Sequence, residues 1–311
     1  MRRFRATELL AVAGVGTLAL LVRSRLKARA LERQVWDRLR LGRSGVVVGA
    51  EPETLVASNT HAVLVLHGFG DTPQSVRELA HHLHDVGYTV ELPLLPGHGR
   101  TLTEFGQARA HDWIGFVRDQ VARLRRQYAH VSVVGLSMGA ALSAIVAAER
   151  EDLDALVLLS PYLCMPDRVR RMAPLLRASG PLSPFRRSTV KVPSIFDPVA
   201  RARGLGFGVV SGRLLAELYT VTEVAQDALP ELTAPTLYIA ARRDNRVPAV
   251  AAARNWLRVG APVRALRWLE ESGHISTVDY EKATVFAEVL AWLRVHGGDP
   301  LSAHKKDTVG A

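Results

Sequence analysis

The sequence predicts an α/β protein with a mostly parallel central sheet covered by helices on both faces. Short aliphatic runs alternate with longer amphipathic stretches from about residue 46 onward. The runs are apolar at successive positions, as strands buried on both faces must be. No internal repeat points to another architecture, and 48% hydrophobic residues over 311 positions suffice for a large core. A single cysteine, Cys164, excludes a disulfide scaffold and a cysteine-based zinc cluster.

The elements follow in order. Residues 62–66 (AVLVL) form a buried strand that ends at His67-Gly68. A helix over 72–86 starts with Pro73 and stops at Gly87. Residues 88–92 are the next strand. A helix over 111–128 places Trp113, Ile114, Phe116, Val117, Val121 and Leu124 at helical spacing. The strand 131–134 runs into Gly135, and an alanine-rich helix covers 138–149. Strands at 155–159, 235–240 and 263–269 and a closing helix at 277–295 complete the core. Residues 161–230 break this rhythm, with seven prolines from Pro161 to Pro198 and no convincing strand. They read as a helical cap inserted after the sixth core strand. An insertion there lies over the carboxyl edge of a parallel sheet, where ligands bind, and acts as a lid. The organisation is therefore 1–45 apolar anchor and basic linker, 46–160 and 231–296 core, 161–230 cap and 297–311 frayed tail.

The net charge of +10 is unevenly spread. Residues 1–43 hold 11 basic and 3 acidic residues, and the cap holds 10 against 5. The rest is slightly acidic, so no basic stripe crosses the core and nucleic acid is not an expected partner. Residues 9–22 (LLAVAGVGTLALLV) carry no charge and are flanked by Arg2, Arg3 and Arg5 before and Arg23, Arg25, Lys27 and Arg29 after. Three readings fit this run: a membrane anchor or interfacial helix, a cleaved signal peptide, or a helix packed on the body. The basic flanks favour the first, with residues 1–43 meeting a membrane surface. The excess of charge after the run favours a catalytic domain on the cytoplasmic side.

Gly135-Leu136-Ser137-Met138-Gly139 fits G-x-S-x-G, after a predicted strand and ahead of a predicted helix. Such a turn lifts a serine hydroxyl above the sheet. A serine needs a base to take its proton. His274 follows the last strand on a glycine-flexed loop. His81, His82 and His84 fall on a surface helix, and His130 and His296 at helix ends. Asp244 follows the strand 235–240, and the order Ser137, Asp244, His274 is the one such a fold requires. Asp279 and Asp227 are its rivals. The oxyanion donors are expected to be the backbone N–H groups of Met138 and of Phe69, in the loop His67-Gly68-Phe69-Gly70. His67 is read as tying that loop down.

Together HGFG at 67–70, LPGHG at 95–99, DW at 112–113, GLSMG at 135–139, APTLYIAARRDNRVP at 234–248 and SGHISTVD at 272–279 resemble the α/β-hydrolase superfamily, in its carboxylesterase and monoacylglycerol-lipase-like branch. The elbow ends Gly139-Ala140 where that branch often has two glycines. The resemblance implies the α/β-hydrolase fold, an acyl-serine mechanism on a small-molecule ester, and no metal or organic cofactor. Thioesterase, peptidase-like hydrolase and acyltransferase chemistry use the same triad. A non-catalytic ligand-binding or membrane-tethering protein is the alternative of another class, against which the three intact residues argue.

Overall fold

A computed structural model describes residue 22 and residues 25–178, 184–188 and 192–300. Its main sheet has seven strands: β1 (Glu53–Leu55), β2 (His61–Leu66), β3 (Thr89–Leu92), β4 (His130–Leu136), β5 (Ala155–Leu159), β8 (Thr236–Ala241) and β9 (Arg264–Leu269). They lie in the order β1-β3-β2-β4-β5-β8-β9. Every pairing is parallel except β1 with β3. A two-stranded ribbon, β6 (Arg186–Arg187) with β7 (Val209–Val210), stands apart. The helices are α1 (25–38), α2 (Gln74–Asp85), α3 (Leu102–Gln107), α4 (Ala110–Gln127), α5 (Met138–Ala148), α6 (Asp167–Ala178), α7 (Pro198–Arg203), α8 (Gly212–Ala228), α9 (Ala249–Trp256) and α10 (Lys282–His296).

The sheet divides the core in two. Leu64 and Leu66 of β2 pack with Trp113, Val117 and Val121 of α4 and with the alanines of α5. Val63 and Val65, on the opposite face, pack with Val76, Leu79 and Leu83 of α2 and Val285, Val289 and Leu293 of α10. This alternation within one unbroken apolar run is what a strand covered on both sides produces. Helix α5 is buried over nearly its whole surface, because α8 packs on the side away from the sheet. Its small residues allow that close stacking.

Several details differ from the sequence reading. The strand 155–159 is the fifth in the sheet, not the sixth. β1 is three residues long and antiparallel, too short for a periodicity signal. The segment between β5 and β8 carries α6, α7 and α8 and also the β6–β7 ribbon, where no strand is expected. His130 opens β4 rather than ending a helix. Its Nδ1 lies 2.9 Å from Asp154, and its ring stacks on His61 at 4.4 Å. The closing helix begins at Lys282, after a single 3-10 turn at Ser276–Val278. The apolar run 9–22, apart from Val22, and the tail from 301 lie outside the described residues. Among the described helices none is long and apolar enough to cross a membrane.

Candidate active site

The chain passes from β2 to β3 on one side, then returns to place β4 on the other side of β2. This reversal opens a crevice at the carboxyl ends of β2 and β4. Into it project the loop after β2, residues 67–70, and Ser137 at the end of β4.

Ser137 sits at φ 58° and ψ −115°, a region that non-glycine residues rarely occupy. Such a conformation costs about 1–3 kcal/mol and persists only where the surroundings enforce it. Here its N–H donates to Leu159 O (2.9 Å), and its own carbonyl accepts from Ala141 N (3.1 Å) and Tyr162 N (3.1 Å). β5 and α5 thus clamp the turn on both sides.

The structure brings Ser137, His274 and Asp244 into one hydrogen-bonded chain. Asp244 Oδ2 lies 2.8 Å from His274 Nδ1, and His274 Nε2 lies 2.7 Å from Ser137 Oγ. A carboxylate only accepts, so Nδ1 carries the proton and donates it. Nε2 is then free to accept from the Ser137 hydroxyl. The His274 and Asp244 side chains are almost wholly shielded, 7% and 2% exposed. The second oxygen of Asp244 accepts the N–H groups of Arg246 (2.7 Å) and Val247 (2.9 Å). Burial pushes the Asp244 carboxyl up, but the His274 charge and hydrogen bond, with those two N–H groups, hold it below its ordinary value.

The rival acids have other places. Asp279 is buried, and its carboxylate caps four backbone N–H groups, those of Phe196, Asp197, Gly273 and Tyr280, at 2.8–3.0 Å. Asp227 lies in the last turn of α8. His67 is fully buried and held at both ring nitrogens. Nδ1 donates to Gly68 O (2.9 Å), and Nε2 accepts from Leu95 N (3.1 Å). Burial and the neighbouring His98 hold it well below the usual imidazole value, which keeps it neutral. Its tie to Leu95 fixes the 67–70 loop against the elbow. A Cβ on Gly68 would lie 3.2 Å from Ser137 Cβ, so only glycine lets the backbone approach this closely without displacing a neighbour. Phe69 packs on Phe105 at 5.3 Å, and Met138 opens α5, where the first N–H groups have no intrahelical partner.

A cavity of about 540 Å³ opens over Ser137 and His274. Phe207, Val210, Leu215, Leu218, Ile275 and Val278 give it an apolar wall. Three contributions were not foreseen from the sequence. Leu31, Gln34, Val35 and Arg38 of α1 form part of the lining, although residues 1–45 read as anchor and linker. The apolar spacing of Leu31, Val35 and Leu39 was the available signal, since Val35 and Leu39 are buried. Arg246 lines the cavity two residues beyond Asp244. Asp71 lines it beside the 67–70 loop, and burial raises its carboxyl to about 6. Among the described residues no three His, Cys, Asp or Glu side chains converge as metal ligands.

Comparison with known proteins agrees with this architecture. The family described as serine aminopeptidase, S33 (Hydrolase_4) matches residues 57–281. A thermostable monoacylglycerol lipase of Bacillus sp. (strain H-257) is 26% identical over 256 residues, covering 81% of this chain and 98% of its own. The structure of a metagenome-derived lipolytic enzyme superposes with TM-score 0.70 at 31% identity, over 80% of this chain and 98% of that one. The monoacylglycerol lipase of Paleococcus ferrophilus shares the fold at TM-score 0.67 and 18% identity, over 79% of this chain and 99% of its own.

Proposed function

The chain belongs to the serine aminopeptidase S33 family of α/β-hydrolases, and from that premise we propose that it cleaves carboxylic esters, short- to medium-chain or monoacylglycerol-like, through an acyl-serine intermediate. The observation that carries this reading is the continuous hydrogen-bonded chain Ser137–His274–Asp244 at the mouth of an apolar cavity.

The geometry supports the following course. His274 Nε2 takes the Ser137 proton as Oγ attacks the ester carbonyl. Asp244 holds the imidazole in the required tautomer and stabilises the imidazolium that forms. The N–H groups of Met138 and Phe69 receive the developing oxyanion, each worth about 3 kcal/mol in the transition state. His274 then protonates the leaving alcohol. The acyl group stays on Ser137 until His274 draws a proton from water, whose oxygen attacks the acyl carbon and releases the acid.

Two features favour an ester over a peptide with a free amino terminus. The wall is apolar, which suits an acyl chain. Its charged side chains are mostly arginine, which repels an ammonium group. We also propose that residues 9–22 hold the protein at a membrane, with the hydrolase domain on the cytoplasmic side; the support is the charge-free run and its basic flanks.

A fluorophosphonate probe tests the chemistry. Wild type should label and Ser137→Ala should not, and p-nitrophenyl esters should show turnover that peaks at one chain length. Folded wild-type protein that neither labels nor turns over any ester would refute the reading.

A further inference from the structure

Beside its apolar stretch the cavity carries a cationic one. Arg38, Arg187, Arg201 and Arg246 line it, against one acid, Asp71. Every hydrogen bond these four guanidinium groups make among the described residues goes to a neutral acceptor. Arg38 binds the carbonyls of Gly204 and Gly206, and Arg201 that of Ile195. Arg187 binds the Gln34 amide oxygen, and Arg246 the hydroxyls of Ser188 and Ser194. Some arginines elsewhere do find acids: Arg77, Arg118, Arg125, Arg150 and Arg267 are each paired with a carboxylate. The four lining arginines thus bring positive charge to the cavity with no ion pair of their own among the described residues.

Arg246 is the best placed of the four. Its backbone N–H is fixed on Asp244, which sets its distance from the triad. The oxygens of Asp244 are taken by His274 and by two backbone N–H groups. The bonds from Arg246 to the serine hydroxyls are long, 3.2–3.4 Å. Burial pulls both Arg246 and Arg38 below the ordinary guanidinium value. The Asp244 charge offsets part of this for Arg246 without forming an ion pair with it among the described residues, and an arriving anion would relieve the remaining cost. Arg187 precedes Ser188, whose hydroxyl Arg246 binds, and both arginines line the cavity. Guanidinium forks match the geometry of carboxylate and phosphate.

We propose that the cavity selects esters carrying an anionic group, a carboxylate or a phosphate, which Arg246 and Arg187 bind while Ser137 attacks the ester carbonyl. This rests on the ester-hydrolase reading. It adds to it that neutral esters are the poorer substrates.

The test uses two matched pairs, assayed on the full chain below micelle-forming concentrations. One pair is 1-decanoylglycerol and 1-decanoylglycerol 3-phosphate, with the charge on the leaving alcohol. The other is methyl decanoate and the monomethyl ester of decanedioic acid, with the charge on the acyl chain. At least one anionic-to-neutral ratio of kcat/KM should be about tenfold or more, as a charge-assisted hydrogen bond supplies. The pair that shows it locates the anion. That ratio should fall at least fivefold in Arg246→Gln or Arg187→Gln, and in high salt. Wild-type turnover of the neutral esters with both ratios below about threefold overturns the proposal and leaves the hydrolase standing. So does a high ratio that neither glutamine variant changes. Absence of ester turnover together with absence of fluorophosphonate labelling overturns both.

Discussion

Gly135 and Gly139 meet backbone to backbone beneath the Ser137 turn: a Cβ on Gly135 would lie 2.5 Å from both the carbonyl carbon and the oxygen of Gly139. A Cβ on Gly139 would lie 2.6 Å from the carbonyl oxygens of Leu66 and His67. These neighbours are main chain of β2 and α5, so neither can yield without moving the elbow. Gly139→Ala should therefore destabilise the protein by about 2–3 kcal/mol and suppress Ser137 labelling. Gly115 in α4 supplies the contrast. Nothing lies within 4 Å of a Cβ there, and Gly115→Ala should raise stability by up to about 1 kcal/mol. Urea unfolding midpoints with labelling of each variant decide both points.

Asp244→Asn should keep the fold and lose the chemistry. An asparagine amide fits the same space, but it can present a donor to His274 Nδ1 and so favour the wrong tautomer. The expected loss is about 10³–10⁴ in kcat with a near-normal urea midpoint. The same carboxylate contributes to pH-dependent stability. Its folded pKa lies below the unfolded one. Its contribution is therefore complete above the ordinary carboxylate range and is lost as pH falls through the folded value. An acid titration of wild type against Asp244→Asn, followed by near-UV circular dichroism, should show the wild type's advantage shrink on acidification.

Asp71 has the opposite sign. Its folded pKa is raised from 3.8 to about 6, chiefly by burial. Between those values the folded state holds a proton that the unfolded state has released, so stability falls as pH rises. Above pH ~6 the loss is complete and amounts to about 2–3 kcal/mol. Asp71→Asn should accordingly gain stability over wild type from pH ~4 to ~6 and hold that gain to pH 8. Melting temperatures across that range measure it, and a constant difference would contradict the assignment.

How much of this was legible in sequence depends on whether the signal was local. The buried strands were, because Val63 to Leu66 are apolar on both faces and, Ser132 apart, so is the run Val131 to Val134. The serine, its histidine and the acid Asp244 were, because each sits at a strand end in a fixed order. β1 was not, since its three residues are held by pairing with β3, a long-range event. Helix α3 was missed although Thr101 and Glu104 form a capping box around its first turn. The cavity wall was least visible. Arg38, Arg187 and Arg246 are separated by scores of residues, and only the folded chain collects them. The basic excess of the cap signalled that charge without locating it.

Asp279 shows how a residue can look catalytic and serve the site otherwise. Its carboxylate joins the His274 loop at Gly273 to the 196–197 segment through backbone N–H groups. Asp279→Ala would take the acceptor from four backbone donors, of which that of Gly273 is buried, which predicts a loss of about 1–3 kcal/mol. Activity should fall with it, because Gly273 anchors the loop that carries His274. Stability and kcat measured on the same preparation should drop together. A large loss of kcat at unchanged stability would instead return Asp279 to a role in the chemistry.

Helix α1 yields the last prediction, because two truncations separate its roles. Val35 and Leu39 are buried, Trp36 packs edge-on against Phe207 at 6.5 Å, and Arg38 ties to the 204–206 loop. The helix is thus part of the cavity wall as well as the continuation of the apolar run. Removal of residues 1–24 should abolish sedimentation with membranes and leave the p-nitrophenyl ester profile unchanged. Removal of residues 1–40 strips Leu31 and Val35 from the lining and exposes Phe207. Each buried aliphatic side chain contributes about 1.5–3 kcal/mol, so stability should fall by several kcal/mol. The chain-length optimum should also broaden, since the acyl chain loses one wall. An unchanged chain-length profile in the longer truncation would show that α1 lies over the cavity without shaping what enters it.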